Sequence, residues 1–468
     1  MRRISIVLSI GFLIIVIYTA EDYLSQRPPS TVSPCINCNV IIIGLDAWQA
    51  AHISHLGYPV KTTPTLDTLS KNGFTFSQAI SASSWTVPSF MSIFTGTYPS
   101  IHKVTNKFVV FSKEKQKLTN IQELSPQIKT LAEILLQQNY RTAGFTGDAG
   151  VSGAFGYNKG FETYVDDTKF GGFDKNLDAA LQWTKDSANE NKPFFMFFHG
   201  YDAHGQFAIP VNYKSRFVEK DYTGPFRGTP QEQESLRERG LRGENLNLTQ
   251  EDIAFWRAWY DGKIRDADER LGKFIDGLRK QGLLNNTIIV LVGDHGTELY
   301  EHKHFDHGHT LYDELIRVPL VFVIPGSNGG LHIEKQVSTI DIFPTILELL
   351  GILPTAELSR QLAGTSFVPL FRGEGAGRDV FIETDYRNFI HARGIRTIEG
   401  IKYILNLDTN MEELYDLKVD PEETRNLAKE RPELLESLRQ RVTRHIEEMG
   451  GMPIFSNECL PVYDSQCK

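Results

Sequence analysis

Three apolar runs in this 468-residue chain give way, within two residues, to Asp or His. Asn39-Val40-Ile41-Ile42-Ile43-Gly44 leads through Leu45 to Asp46. The run FFMFF (194–198) opens onto His199-Gly200-Tyr201-Asp202-Ala203-His204, and TIIVLV (287–292) onto Gly293-Asp294-His295-Gly296. A carboxylate at the end of an apolar strand either caps a helix or holds a cation. An Asp-His pair on a glycine-flanked turn offers a hard oxygen and an imidazole to one ion, or simply closes the turn. Downstream, EHKHFDHGH (301–309) packs four of the chain's 13 histidines into eight residues, which suits a metal or anion site better than a solvated loop. Each cluster is ambiguous alone. The same residue types after three strands make coincidence a poor account.

A nucleophile candidate lies in SSWTVPSFMSIFTG (83–96). Pro88 suits the first turn of a helix and Gly96 its end. Thr86 therefore stands at a helix N-terminus, where free N–H groups and the dipole favour an anion. Its hydroxyl is either an ordinary N-cap or a nucleophile. The second role needs a coordinated metal, because a Thr hydroxyl at its free pKa attacks poorly. Asp46, Asp294 and His295 are the candidate ligands.

These residues need elements that converge. Continuous apolar strands (also VPLVFVI, 318–324) alternate with helical patterns at 65–71, 128–138, 173–188, 255–281 and 340–350. That alternation predicts an α/β fold with a doubly wound sheet, which binds ligands at the C-terminal ends of its strands. From about Asp379 short strands and a charged helix, Pro432 to Glu448, predict a small α+β subdomain. The net charge of −9 argues against nucleic-acid binding, which needs a basic footprint. At the start, Met1-Arg2-Arg3, the apolar run 4–20 and Glu21-Asp22 read as a signal anchor, giving a single-pass membrane protein with its catalytic part outside the cytoplasm. Cleavage of that segment would instead give a secreted or periplasmic protein. Cys35, Cys38, Cys459 and Cys467 sit only at the two ends of the chain, as disulfides of an oxidising compartment would, with all three pairings open.

Five ordered blocks then carry a resemblance: GLDA (44–47), TVPSFMSIFTGTYPSIHKV (86–104), GDHGTELYEH (293–302), LYDELIRVPLVFVIPG (311–326) and EELYDLKVDPEETRNLA (412–428). From about 39 to 445 the chain resembles the sulfatase family of the alkaline phosphatase superfamily. The resemblance implies an alkaline-phosphatase-like core with a smaller C-terminal subdomain that carries an antiparallel sheet. It also implies ester hydrolysis through a metal-activated nucleophile and a covalent intermediate. The expected layout is an anchor or signal peptide at 1–20, a linker at 21–38, a catalytic domain at 39–376, the C-terminal subdomain at 377–455 and a tail at 456–468.

The chain departs from the family's pattern in ways that bear on substrate. Thr86 stands where sulfatases carry the Cys or Ser of C/S-x-P-x-R that becomes formylglycine, and Phe90 replaces the Arg. Ala47 replaces the second of two paired aspartates. Thr142 to Asp148 lies near the place of the family's Gly-Lys-x-His block without matching it. A Thr in T-x-P is similar instead to the nucleotide pyrophosphatase/phosphodiesterases and related phosphoryl transferases. That likeness implies a divalent metal (Ca, Mn, Zn or Mg) on Asp46, Thr86, Asp294 and His295. It further implies a second metal on Asp202, His204 and His307 or His309. With one metal only, His204 and His309 would contact the ester and protonate the leaving group. The expected substrate is a small-molecule, glycan or lipid-headgroup ester, with phosphate mono- or diesters ahead of sulfates. The alternatives are a membrane-anchored transferase of a phospho-headgroup and a catalytically inactive binding homologue.

Overall fold

The computed structural model describes residues 32–105, 123–166, 170–205, 217–218, 221–387 and 389–449. In chain order, the strands of the main sheet are β1 (Asn39–Leu45), β2 (Phe74–Ile80), β3 (Arg141–Phe145), β4 (Thr163–Val165), β5 (Phe194–Gly200) and β6 (Thr287–Gly293). A two-stranded ribbon, β7 (Glu298–Leu299) and β8 (Phe305–Asp306), follows. The main sheet then resumes with β9 (Arg317–Val323), β10 (Leu331–Ile333) and β11 (Val337–Ser338). The order across it is β10-β2-β9-β6-β1-β5-β3-β4, with β11 also on β2.

The central strands are apolar throughout because both faces are covered. Val40, Ile42, Phe195, Phe197, Val290 and Val292 point into one core. Ile41, Ile43, Met196, Phe198, Ile289 and Leu291 point into the other. The parallel register puts Ile43 beside both Phe198 and Leu291, so β1, β5 and β6 end at one level. The sheet is mixed, because β9 runs antiparallel to both β6 and β2. Helices cover both faces. The main ones are α1 (Pro64–Lys71), α2 (Thr86–Thr95), α3 (Phe173–Ala188), α4 (Pro230–Leu241), α5 (Gln250–Lys280) and α6 (Ile342–Leu349).

The C-terminal part is an antiparallel sheet, β12 (Val380–Tyr386), β13 (Ile390–Arg396), β14 (Ile401–Asn406) and β15 (Met411–Asp416). Its helix α7 (Pro432–Glu448) presses Leu438, Val442 and Ile446 onto Ile395, Tyr403, Leu405 and Leu414.

One sequence expectation is corrected. A single-pass membrane anchor was expected, but among the described residues no helix is long and apolar enough to cross a membrane. The stretch 1–20 that carried the expectation lies outside the described residues, as do Cys459 and Cys467. Cys35 and Cys38 form a disulfide with each other.

Candidate active site

β1 delivers Asp46 into a tight turn that depends on Ala47, a non-glycine residue at φ 59°. The Ala47 N–H donates to Asp294 Oδ1 at 3.1 Å, and its carbonyl accepts from the Tyr260 hydroxyl at 2.6 Å. Such backbone costs about 1–3 kcal/mol and persists where its surroundings impose it. Here it bolts the end of β1 to the end of β6. The His295 N–H donates to the same Asp294 Oδ1 at 2.8 Å. His295 Nδ1 lies 2.6 Å from the Gly296 carbonyl, so Nδ1 is the protonated nitrogen and Nε2 faces the site.

Helix α2 supplies the hydroxyl. Trp85, in extended conformation, caps it, and Gly96 ends it at φ 64°. Thr86 Oγ1 donates to Asp46 Oδ2 at 3.2 Å and lies 3.2 Å from His295 Nε2. All ten residues of the helix are buried, so the free N–H groups of its first turn are shielded from bulk water. His199, the last polar residue of β5, brings Nε2 to 3.5 Å from Asp46 Oδ2.

The electrostatics are lopsided. Asp46 and Asp294 are both fully buried. Burial, reinforced by Asp46, pushes the Asp294 carboxyl up to about 8. Burial pushes His295 down to about 4 against the pull of Asp294, and His199 down to about 3. Burial thus disfavours charge on the Asp294 carboxyl and on both imidazoles alike. The donor atoms of Asp46, Asp294 and His295 lie within 4.8 Å of one another, and among the described residues Asp294 Oδ2 accepts no hydrogen bond. Two carboxylates, an imidazole and a hydroxyl fit a divalent cation. A cation held there would lower the pKa of a hydroxyl and draw charge from a substrate oxygen.

A second buried group adjoins it. His204, Asp306 and His307 also bring donor atoms within 4.8 Å of one another. The His307 ring lies 4.2 Å from that of His295 and 4.8 Å from that of His204. Asp306 is held at φ 80°, and its Oδ2 is 3.3 Å from Arg237. Lys263 Nζ donates to the His204 carbonyl and to Gln233 Oε1, both at 3.0 Å, fixing the loop that carries His204.

The residues singled out from sequence thus divide. Asp46, Thr86, Asp294 and His295 meet in one group, and His204 and His307 in its neighbour. Asp202 faces elsewhere: its Oδ2 accepts the Phe173 N–H at 2.8 Å and its Oδ1 lies 3.0 Å from Arg270 on α5. His309 is engaged by Glu298, with Nε2 2.7 Å from Oε2. Asp306 takes the place expected of Asp202; it stood unremarked between histidines in the 301–309 run. His199 directly follows the apolar run of β5, a signal that could have singled it out. Phe90 is buried against the His199 ring at 5.1 Å, and its Cζ would lie 2.7 Å from any Cβ on Gly44.

This sheet, with its appended antiparallel sheet, is that of the ester hydrolases of the alkaline-phosphatase-like fold. The chain belongs to the sulfatase family, whose model matches residues 38–352, and a model described as the C-terminal part of N-sulphoglucosamine sulphohydrolase matches 300–449. It is similar to arylsulfatase K of Bos taurus, at 24% identity over 86% of this chain and 81% of that protein. Among solved structures it is similar to the phosphonate monoester hydrolase of Agrobacterium radiobacter (TM-score 0.70, 20% identity, 88% of this chain and 96% of that one). A 2-O GAG sulfatase superposes with a TM-score of 0.70 at 21% identity, covering 88% of this chain and 93% of its own. The protein is an ester hydrolase of that family.

Proposed function

We propose that the protein hydrolyses phosphate mono- or diesters ahead of sulfate esters, with Thr86 as nucleophile. The carrying observation is the Thr86 hydroxyl at a buried helix N-terminus, 3.2 Å from both Asp46 and His295. In the reaction, Thr86 Oγ1 bonds to phosphorus as the bond to the leaving oxygen breaks with its electron pair. The hydroxyl proton passes to Asp46 Oδ2, which already accepts its hydrogen bond. The leaving oxygen takes a proton from solvent; water then displaces Thr86 from the phosphoryl group, losing one proton to solvent, while the Thr86 oxygen recovers its proton from Asp46.

Asp46, Thr86, Asp294 and His295 would hold a divalent cation that makes the hydroxyl a better nucleophile, and His204, Asp306 and His307 would hold a second. Preference for phosphate is supported by Phe90, an apolar ring where sulfatases carry Arg, and by β3 running into Thr146-Gly147-Asp148 and not into Gly-Lys-x-His. The structural likeness to a 2-O GAG sulfatase supports a glycan or similar small molecule as the organic half.

The test is turnover of an aryl phosphodiester and an aryl sulfate by the purified protein with Mn²⁺ or Zn²⁺, alongside Thr86→Ala. The variant is expected to lose about 10⁴-fold or more in kcat. Full retention of activity sinks the nucleophile. Two divalent ions per chain are expected by metal analysis; a single ion returns His204 to the role of proton donor.

A further inference from the structure

Tyr201 is buried beside the nucleophile with half of its hydrogen-bonding capacity unspent. Its Oη accepts the Gly150 N–H at 2.8 Å. Its hydroxyl proton meets no acceptor among the described residues. A buried donor left unspent is unfavourable and rare, so it points to a ligand.

Gly150 shows where the hydroxyl lies. A Cβ added there would stand 2.9 Å from Thr86 Cγ2 and 3.0 Å from Tyr201 Oη. A side chain at Gly150 would press on both Thr86 and the phenol, so glycine keeps the space between them open. The phenol ring is clamped edge-on by His199 at 4.7 Å and His204 at 5.5 Å, with Phe170 at 5.1 Å. The Gly150 N–H fixes the hydroxyl from one side, so its proton can turn only to the other. Burial, with the charges of Asp46 and Asp294, holds the group well above the usual tyrosine range, so it stays protonated.

Resting on the proposed Thr86 chemistry, we infer that Tyr201 is a catalytic residue whose hydroxyl donates a hydrogen bond to a non-bridging oxygen of the ester as Thr86 attacks. It transfers no proton and keeps its own throughout. Charge grows on that oxygen in the transition state, and a preorganised donor in a water-poor site is worth most there. A neutral donor also adds no charge beside the cation ligands.

The test uses Tyr201→Phe, which keeps the ring and removes Oη, together with orthovanadate as a tetrahedral oxyanion probe. Loss of one such donor is expected to lower kcat about 10²-fold while KM moves little. Orthovanadate binding should weaken about 10-fold by calorimetry at unchanged metal content, one lost hydrogen bond to a charged group. Wild-type kcat and wild-type vanadate affinity in Tyr201→Phe overturn the inference. Should the variant fold poorly, 3-fluorotyrosine incorporated at 201 keeps the hydroxyl; its ¹⁹F resonance is expected to move on adding orthovanadate, and a stationary resonance overturns the assignment. Thr86→Ala separates the two readings. If it retains turnover while Tyr201→Phe loses it, the nucleophile falls and Tyr201 stands. If the wild type turns over no ester, the vanadate arm alone decides.

Discussion

Two buried polar clusters in this molecule are built on opposite principles. Where the C-terminal sheet meets the main sheet, Lys402, Arg396, Asp313 and Glu423 pair with opposite charges. Lys402 Nζ on β14 lies 2.7 Å from Asp313 Oδ1 and 2.8 Å from Glu423 Oε1, and also donates to the Leu311 carbonyl at 3.1 Å. Arg396 on β13 closes on the other oxygen of Asp313 at 3.0 Å. At the ends of β1 and β6, Asp46 and Asp294 are buried close together, with Thr86, His295 and His199 against them. The first cluster is complete as it stands and joins two sheets. The second brings carboxyls and imidazoles together with pKa values displaced by burial, the pattern that functional sites favour.

Asp294→Asn sharpens this contrast most. Removing one cation ligand is expected to lower kcat about 10³-fold, several kcal/mol of transition-state stabilisation. It should also uncouple metal from stability. In the wild type, a divalent cation at about 100 times its Kd adds about 2.7 kcal/mol of unfolding free energy, seen as a raised Tm. The variant should gain almost none, and an equal gain in both would place the cation elsewhere.

Lys402→Met attacks the balanced cluster. It leaves Asp313 and Glu423 buried against each other and should cost about 3–5 kcal/mol in urea unfolding. Metal affinity should change little. A variant as stable as the wild type would mean that packing alone joins the two sheets.

The smallest effect concerns pH. His302 Nδ1 lies 2.6 Å from Glu314 Oε1 and its Nε2 3.2 Å from the Glu423 carbonyl, between the two clusters. Burial opposes its charge, but the hydrogen bond and charge of Glu314, with Glu298, outweigh it and raise the group from 6.5 to about 9. A raised histidine stabilises the fold fully below its unfolded value, so its contribution is complete below 6.5 and lost as pH rises through about 9. That loss should amount to about 1–3 kcal/mol in unfolding free energy across the window. His302→Gln should flatten the slope; an unchanged slope would assign it to other groups.

The contrast also explains what could be read from the sequence. β1, β5, β6 and β9 were legible because burial on both faces leaves continuous apolar runs. β2, FTFSQAI, mixes polar residues into its run and carries a register shift between Phe76 and Ala79, so it gave no such signal. The antiparallel sense of β9 is equally silent, since a strand buried on both faces reads alike in either direction. Asp46, Thr86, Asp294 and His295 were legible because the ends of parallel strands and a helix start fix their place. Asp202 and His204 are two residues apart, yet the chain sends one to Arg270 and the other to Asp306 and His307. Sequence spacing cannot say which way a loop side chain turns. Asp306 reaches its position through a backbone at φ 80°, which a stretch of histidines does not announce.

The central claim is that Thr86 carries the group being transferred. Acid quenching during turnover of an aryl phosphodiester, followed by peptide mass spectrometry, tests it most directly. The account predicts a peptide in which Thr86 bears the phosphoryl group, absent without divalent cation and reduced in Asp294→Asn. An unmodified Thr86 in an enzyme at full turnover, with the group on another side chain, would contradict it.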